Sequence, residues 1–171
     1  MIENTLVLIK PDALQRNLTG HVVFRLAQAG LYIVGAKVVQ VSDALAHEHY
    51  KHLRNKPFFP ELIRYIKGEL HGKLSSGVLA FVYRGENAVQ KVRDVAGATH
   101  PEQADPKSLR GAYGRITTKG VMENVIHASS DPAEAQREIG LWFAPEEIVD
   151  LEPAVAGNAS RSVPRKAKGG L

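Results

Sequence analysis

The sequence predicts an α+β fold, a ferredoxin-like sandwich in which helices cover a four-stranded, mostly antiparallel sheet. Two short and almost wholly apolar runs, Thr5–Ile9 and Val78–Tyr83, predict strands that are buried on both faces. Each run is followed by an amphipathic helical segment, which indicates two βαβ-like halves. A doubly wound parallel sheet is the alternative, but only four strands are visible in the sequence.

The other elements follow in chain order. Helices are predicted over 21–30, 43–55, 61–68, 86–97 and 131–140, and further strands over 31–41 and 124–126. The helix over 43–55 has Ser42 and Asp43 at its start, and the helix over 131–140 has Asp131 and Pro132. Residues 98–123 contain prolines and glycines without sustained periodicity, and so predict a long functional or mobile loop.

Composition and charge limit the class of protein. The 171 residues are 44% hydrophobic and 23% charged, as in a single globular domain, and contain no cysteine for disulfides or zinc–thiolate sites. No stretch approaches the roughly 18 apolar residues of a membrane helix. The N-terminus has no run typical of a signal peptide, so we expect a cytoplasmic protein without a membrane segment.

The net charge of +4 lies in the last residues of the chain. Residues 153–171 contain four basic residues and no acid, which leaves 18 basic and 18 acidic residues in 1–152. We therefore predict a folded domain over 1–152 and a basic, disordered C-terminal tail over 153–171. A neutral domain without an aromatic RNA-binding pattern predicts no specific nucleic-acid binding.

Several common site motifs are absent from the sequence. It contains no G-x-x-x-x-G-K-[ST], no G-x-G-x-x-G and no H-E-x-x-H, which excludes P-loop, dinucleotide-fold and zincin chemistry. One group has spacing that resembles a metal site: His47, His49 and His52. These three histidines lie on a predicted amphipathic helix, so we interpret them as a solvated face.

His127 lies where a predicted strand, 124–126, gives way to a helix start. Unpaired N–H groups at a helix N-terminus favour an anion such as phosphate, and the small residues Ala128 and Ser129 leave space beside the ring. A neutral imidazole is nucleophilic near pH 7, and Glu138 on the same helix could orient it. These residues alone leave two interpretations open, a nucleophile and a structural histidine.

Basic and hydroxyl residues elsewhere favour the nucleophile. Lys10 follows the first strand, Arg93 lies on the helix after the third, and the predicted loop contains Thr99 and Arg110. Transfer of a phosphoryl group consists mostly of positioning the group and neutralising its oxygens, which these side chains can do.

The sequence resembles the nucleoside diphosphate kinase family over essentially all of residues 2–152. The segments that match are TLVLIKPDALQR, EHY, PFF, THP, LRGAYG, ENVIHASSD and EIGLWFAPEEIVD, in that order. The resemblance implies that the histidine at 127 takes the γ-phosphate of a nucleoside triphosphate, mainly ATP, and passes it to a nucleoside diphosphate. It also implies magnesium, bound on the nucleotide phosphates rather than by a protein cage, and a homo-oligomer.

The resemblance assigns further residues by motif. The implied catalytic set is His127, Lys10, Tyr50, Glu138 and Ser129. The implied nucleotide contacts are Lys10, Arg93, Thr99 and Arg110 on the phosphates, Asn124 on the ribose, and Phe58 and Leu62 at the base. Phe59, next to Phe58, is the better candidate for the core.

The chain departs from the family pattern in several places. Ala128 stands where glycine is usual and Ser130 where aspartate is usual, and we expect activity to survive the Ala128 change. The connections over 67–76 and 111–123 are longer than usual. A phosphohistidine relay to a partner protein is an alternative function, but a relay has no need of a base platform such as Phe58.

Overall fold

A four-stranded sheet with strand order β2-β3-β1-β6 lies at the centre of the computed structural model, which describes residues 1–72 and 77–151. Its strands are β1 (Ile2–Ile9), β2 (Tyr32–Val39), β3 (Val78–Glu86) and β6 (Ile126–Ala128), and a separate hairpin contains β4 (Arg115–Ile116) and β5 (Met122–Glu123). Every neighbouring pair is antiparallel. The predicted ferredoxin-like α+β class is confirmed, and the parallel alternative is excluded.

Seven α-helices surround the sheet in the described part of the chain. They are α1 (Pro11–Gln15), α2 (Thr19–Ala27), α3 (Asp43–His49), α4 (Phe59–Ile66), α5 (Ala88–Ala96), α6 (Leu109–Tyr113) and α7 (Pro132–Trp142), with single 3-10 turns at Lys51–Leu53, Pro101–Gln103 and Pro145–Glu147. The predicted starts of α3 and α7 are confirmed, because Ser42 accepts from the Leu45 N–H and Asp131 from that of Glu134.

Two hydrophobic cores lie on opposite faces of the sheet. Leu6 and Leu8 of β1 face one core, and Val7 and Ile9 face the other, since successive strand residues point to opposite sides. The first core is closed by α3, α4 and α7, and the second by α1, α2, α5 and α6. All four β1 side chains are fully buried, which stabilises the fold by about 1.5–3 kcal/mol each. This double coverage explains the continuous apolar run in the sequence.

Some predicted elements differ in the structure. The helix predicted through residue 55 ends at His49, and the helix predicted from Glu61 begins at Phe59, with Pro60 in its first turn. Helix α1 was not predicted, because its five residues are too short to show a helical period.

The predicted loop 98–123 contains α6 and the β4–β5 hairpin. Ser108 caps α6 by accepting from the Gly111 N–H. Gly111 itself is required by packing, because a Cβ there would lie 2.1 Å from the Asp105 carbonyl oxygen. Elements of two and five residues are too short to show periodicity, so the prediction of an irregular loop was wrong.

Two predicted features fall partly or wholly on residues outside the described ones. The 67–76 connection is described only as far as Gly72, and the C-terminal tail over 153–171 lies outside the described part. Among the described residues, no helix is long and apolar enough to cross a membrane.

Candidate active site

One cavity of about 780 Å³ brings together the predicted site residues. Every one of them except Ser129 lines it: Lys10, Tyr50, Phe58, Leu62, Arg93, Thr99, Arg110, Asn124, His127 and Glu138. Ser129 is fully buried and reaches the site through a hydrogen bond to Glu138. Residues from distant parts of the chain therefore converge on one concave site.

His127 lies in the middle of β6, paired with Leu8 of the central strand β1. Its Nε2 lies 2.9 Å from Glu138 Oε2, and its side chain is 15% exposed. A neutral ring that donates to a carboxylate through Nε2 keeps the lone pair of Nδ1 available. Burial lowers the pKa of His127, with a smaller opposing effect from Glu138, so the ring is neutral and nucleophilic at pH 7.

Glu138 holds the histidine from helix α7. The Ser129 hydroxyl donates to the same oxygen, Oε2, at 2.6 Å, and accepts from the Leu6 N–H at 3.3 Å. Burial opposes ionisation of the carboxyl group, but the hydrogen bonds from His127 and Ser129 outweigh it and lower the pKa of Glu138. The carboxylate is therefore charged, held at Oε2 by two hydrogen bonds, and able to orient the imidazole.

His49 was predicted on a solvated face, and this prediction is wrong for that residue. It is fully buried, and its ring centroid lies 4.4 Å from that of His127. Its Nδ1 accepts from Trp142 Nε1 at 3.1 Å, and burial lowers its pKa well below the usual value. His49 lies on the buried face of α3, three residues after the buried Ala46, whereas His47 and His52 are exposed as expected.

Histidine and carboxylate donors come close enough here to hold a metal ion. One atom each from His49, His127 and Glu138 lie within 4.8 Å of one another. Trp142 donates to His49, and His127 and Ser129 both bond to Glu138, while His49 Nε2 is buried and has no hydrogen-bond partner among the described residues.

Two buried cations form the other wall of the site. Lys10 Nζ donates to Asn124 Oδ1 at 2.6 Å, and burial, followed by repulsion from Arg110, lowers the pKa of Lys10 to about 7. The Arg110 guanidinium donates to the carbonyl oxygens of Gly97 at 2.8 Å and Ile126 at 3.0 Å. Burial lowers its pKa to about 10. Neither side chain forms an ion pair with a carboxylate of the described residues, and buried positive charges of this kind favour an anion in the cavity.

Tyr50 adds a hydroxyl donor to this wall. The residue is 5% exposed, and its hydroxyl has no hydrogen-bond partner among the described residues. Burial raises its pKa, so the group stays protonated. A buried hydroxyl that lines a cavity and lacks a partner is suited to donate to a bound ligand.

A strained backbone holds Asn124 and His127 in place. Val125 has a positive φ of 70°, which is unfavourable for a β-branched residue and costs about 1–3 kcal/mol. Its N–H donates to Asp12 Oδ2 at 3.1 Å, and its carbonyl accepts from the Lys10 N–H at 2.9 Å. No sequence pattern indicated a role for Asp12, a fully buried residue that also accepts from the Tyr65 hydroxyl.

The outer end of the cavity, around Phe58, differs from the polar end around His127. Phe58 is 51% exposed, whereas Phe59 is 7% exposed and packs in the core as predicted. Leu62, Val121 and Met122 line the same cavity. The outer end is therefore apolar and open, in contrast to the polar, buried end around His127.

Known proteins resemble this chain in sequence and in structure. The family described as nucleoside diphosphate kinase matches residues 3–148. A nucleoside diphosphate kinase from Staphylococcus haemolyticus is 44% identical over 151 residues, covering 88% of this chain and 94% of the relative. One from Symbiobacterium thermophilum is 42% identical over 164 residues and covers 96% of both.

Solved structures of the same family superpose on this fold. A nucleoside diphosphate kinase from Halobacterium salinarum in complex with CDP has a TM-score of 0.79 at 38% identity, covering 90% of this chain and 95% of that one. A transition-state mimic of the enzyme from Borrelia burgdorferi, with bound vanadate and ADP, has a TM-score of 0.78 at 34% identity, covering 90% and 94%.

The fold and the site define an enzyme of the phosphotransferase class. A ferredoxin-like sheet presents a histidine and a set of cations to one cavity, and the relatives are phosphotransferases. The chain belongs to the nucleoside diphosphate kinase family, whose members catalyse phosphoryl transfer between nucleoside triphosphates and diphosphates.

Proposed function

We propose that the chain transfers the γ-phosphate of a nucleoside triphosphate, mainly ATP, to nucleoside diphosphates through a phosphohistidine at His127. The observation that carries the proposal is the contact of Nε2 with Glu138, which leaves Nδ1 as the basic nitrogen of a ring in a cavity that favours anions. In the first half-reaction, the Nδ1 lone pair forms the N–P bond while the bond from γ-phosphorus to the bridging oxygen breaks. The nucleoside diphosphate leaves with that electron pair.

In the second half-reaction, a terminal oxygen of another nucleoside diphosphate attacks the same phosphorus and the N–P bond breaks. Because one site serves donor and acceptor in turn, the kinetics are ping-pong. Glu138 supports both steps, since it stabilises the ring while positive charge develops on it. Ser129 fixes the carboxylate and thereby the direction of the imidazole.

The phosphate contacts follow from charge and burial. Lys10 and Arg110 are buried cations at the cavity wall, and the Tyr50 hydroxyl is a buried donor. Arg93 and Thr99 line the cavity from α5 and the segment that follows it. We assign all five to the phosphates, because neutralising the non-bridging oxygens is the main requirement of phosphoryl transfer.

The nucleoside would occupy the outer end of the cavity. Asn124 contacts the ribose, and Phe58 stacks on the base with Leu62 beside it. An exposed aromatic face accepts any base without reading its edge, so we expect weak discrimination among bases. The relative from Halobacterium salinarum binds CDP, and the one from Borrelia burgdorferi binds ADP, which supports this expectation.

Magnesium would arrive with the substrate. Mg²⁺ keeps much of its hydration and commonly binds through substrate phosphates, so the cations of this cavity suit a Mg–nucleotide complex in which phosphates supply the oxygen ligands. The chain's own residues then bind and orient the phosphates on which the ion is carried.

The setting of the enzyme follows from the same proposal. We propose a nucleoside diphosphate kinase domain over 1–152 and a basic tail over 153–171, in a cytoplasmic protein that acts on free nucleotides rather than on nucleic acids or membranes. Homo-oligomers are proposed as well. Strand β2 is an edge of the sheet and exposes Tyr32, Ile33 and Val38, which suits contact with a second copy.

Labelling with γ-³²P-ATP tests the mechanism. We expect an acid-labile, base-stable label on the protein that moves to GDP and appears as GTP. His127→Ala should abolish the label, whereas His47→Ala, at an exposed histidine of the same chain, should keep it. Label that persists in His127→Ala, or no label on the parent protein, would contradict the proposal.

A further inference from the structure

The two connections that are longer than the family pattern, 67–76 and 111–123, meet at Glu123. Its Oε2 accepts from Arg115 Nε at 2.6 Å, within the β4–β5 hairpin, and its Oε1 lies 3.1 Å from His71 Nε2, in the segment after α4. Glu123 and His71 are both about 95% buried, at 4% and 5% exposure. One carboxylate therefore ties together two segments about 50 residues apart, a separation that only the fold closes.

The position of Glu123 in the hairpin connects this contact to the cavity. The three residues before it, Gly120, Val121 and Met122, line the cavity, while Glu123 itself does not. Successive residues of a strand point to opposite sides, so Met122 faces the cavity and Glu123 faces the protein. The residue after it, Asn124, holds the amine of Lys10.

The other side of the contact leads to α4. The His71 ring lies 5.1 Å from the Tyr65 ring, and Tyr65 belongs to α4, the helix that also carries Leu62. The outer end of the cavity thus has two walls: the hairpin wall, formed by Val121 and Met122, and the α4 wall, formed by Leu62. Glu123, His71 and Tyr65 connect the two walls.

We propose that Glu123 is a positioning residue that fixes the hairpin wall relative to α4 and so sets the width of the base-binding end. The proposal rests on the nucleotide site proposed above and assigns to it a residue that contacts no substrate. A buried, charge-assisted pair of contacts resists opening more than neutral contacts do, so the wall keeps its distance from Phe58 and Leu62. Loss of the charge should loosen the base end and leave the phosphate end unchanged.

The test compares a substrate with a base and one without. In Glu123→Gln we expect KM for ATP to rise about 10-fold at unchanged kcat, the size expected for loss of base stacking. The rate of His127 labelling by ribose 5-triphosphate, which has no base, should stay within about twofold of the parent, because no stacking is lost. A purely structural role would reduce the activity with ATP and with ribose 5-triphosphate by the same factor.

Controls separate this proposal from folding defects and from the proposed function. Arg115→Gln removes one arm of the contact at a half-exposed side chain, and should raise KM for ATP in the same direction by a smaller factor. Asp150→Asn breaks the exposed Arg84–Asp150 pair and should change neither KM for ATP nor the rate of labelling by ribose 5-triphosphate.

An unchanged KM for ATP in both Glu123→Gln and Arg115→Gln, or an equal loss with both substrates, overturns the positioning role. Absence of labelling in the parent protein would instead contradict the proposed function.

Discussion

The two ends of the cavity differ in burial, charge and hydrogen bonding. At the inner end, His127, Lys10 and Glu138 are held by hydrogen bonds of 2.6–2.9 Å within a largely buried polar network. At the outer end, Phe58 is half exposed and Met122 is partly exposed, and both offer apolar side chains rather than polar groups. We therefore propose that the inner end orients the phosphoryl group, while the outer end accepts bases of different shape.

We expect rate and specificity to depend on different ends of the cavity. Rigid polar groups that act on the reacting atoms determine the rate, because misplaced charges stabilise the transition state poorly. The proposed apolar contacts with a base would affect binding alone. Variants at the inner end should therefore change kcat/KM strongly, and variants at the outer end should change mainly KM.

The largest effect is expected at Lys10. Lys10→Met should lower kcat/KM by about 10²–10³, since one preorganised donor to the transferring phosphate is lost. Steady-state transfer from ATP to GDP measures it, with Lys107→Met, at an exposed lysine, as the control. A loss confined to KM for ATP, with kcat unchanged, would contradict a role in the transition state.

Lys10 should also produce a distinctive pH dependence. Its pKa is lowered to about 7, so its charge is present below that pH and is lost as the pH rises through it. We expect kcat/KM, which reports the free enzyme, to fall above about pH 7. The kcat at saturation should not fall in this way, because bound phosphate raises the pKa of the amine. In Lys10→Met the fall of kcat/KM above about pH 7 should be absent. If the fall persists in that variant, another group causes it.

The adjacent residues Phe58 and Phe59 sharpen the contrast between binding and folding. Phe58→Ala should raise KM for nucleotides about 10-fold at unchanged kcat, because stacking on the base is lost. Phe59→Ala should leave KM unchanged and lower the free energy of unfolding by about 3–5 kcal/mol, since a core side chain is removed. Kinetics and urea denaturation of both variants measure this, and a stability loss of that size in Phe58→Ala would contradict its assignment to the base.

Much of this contrast could be predicted from the sequence, and the reason is physical. The strand β1 and the start of α7 have strong local signals, a double-sided apolar run and an N-cap acid followed by proline. Lys10 directly follows β1, so its place in the fold was predictable, whereas His127, predicted just after a strand over 124–126, lies within β6 (Ile126–Ala128). The family resemblance assigned Phe58 to the base, which left the neighbouring Phe59 as the candidate for the core.

What could not be predicted depends on contacts between distant segments. His49 lies on the same face of α3 as the buried Ala46, and Trp142 supplies its hydrogen bond from 93 residues away. Asp12 matters because it holds the strained Val125, and no local pattern indicates a positive φ at a valine. The hairpin around Glu123 has strands of only two residues, and its partner His71 lies in a different segment.

The smallest effect is expected at Ala128, where the family pattern has glycine. Ala128 lies on β6 opposite Val7, is partly buried and lines the cavity beside His127. Extended backbone suits alanine as well as glycine, and a methyl group bears no charge that could act on the phosphate. We therefore expect Ala128→Gly to change turnover by no more than about threefold, and to cost about 0.5–1 kcal/mol of folding free energy through the added freedom of glycine. Parallel measurements of kcat and of urea denaturation check both values. A gain of several orders of magnitude in kcat would show that the Ala128 methyl group obstructs the phosphoryl group, and that the inner end is tuned more finely than its hydrogen bonds indicate.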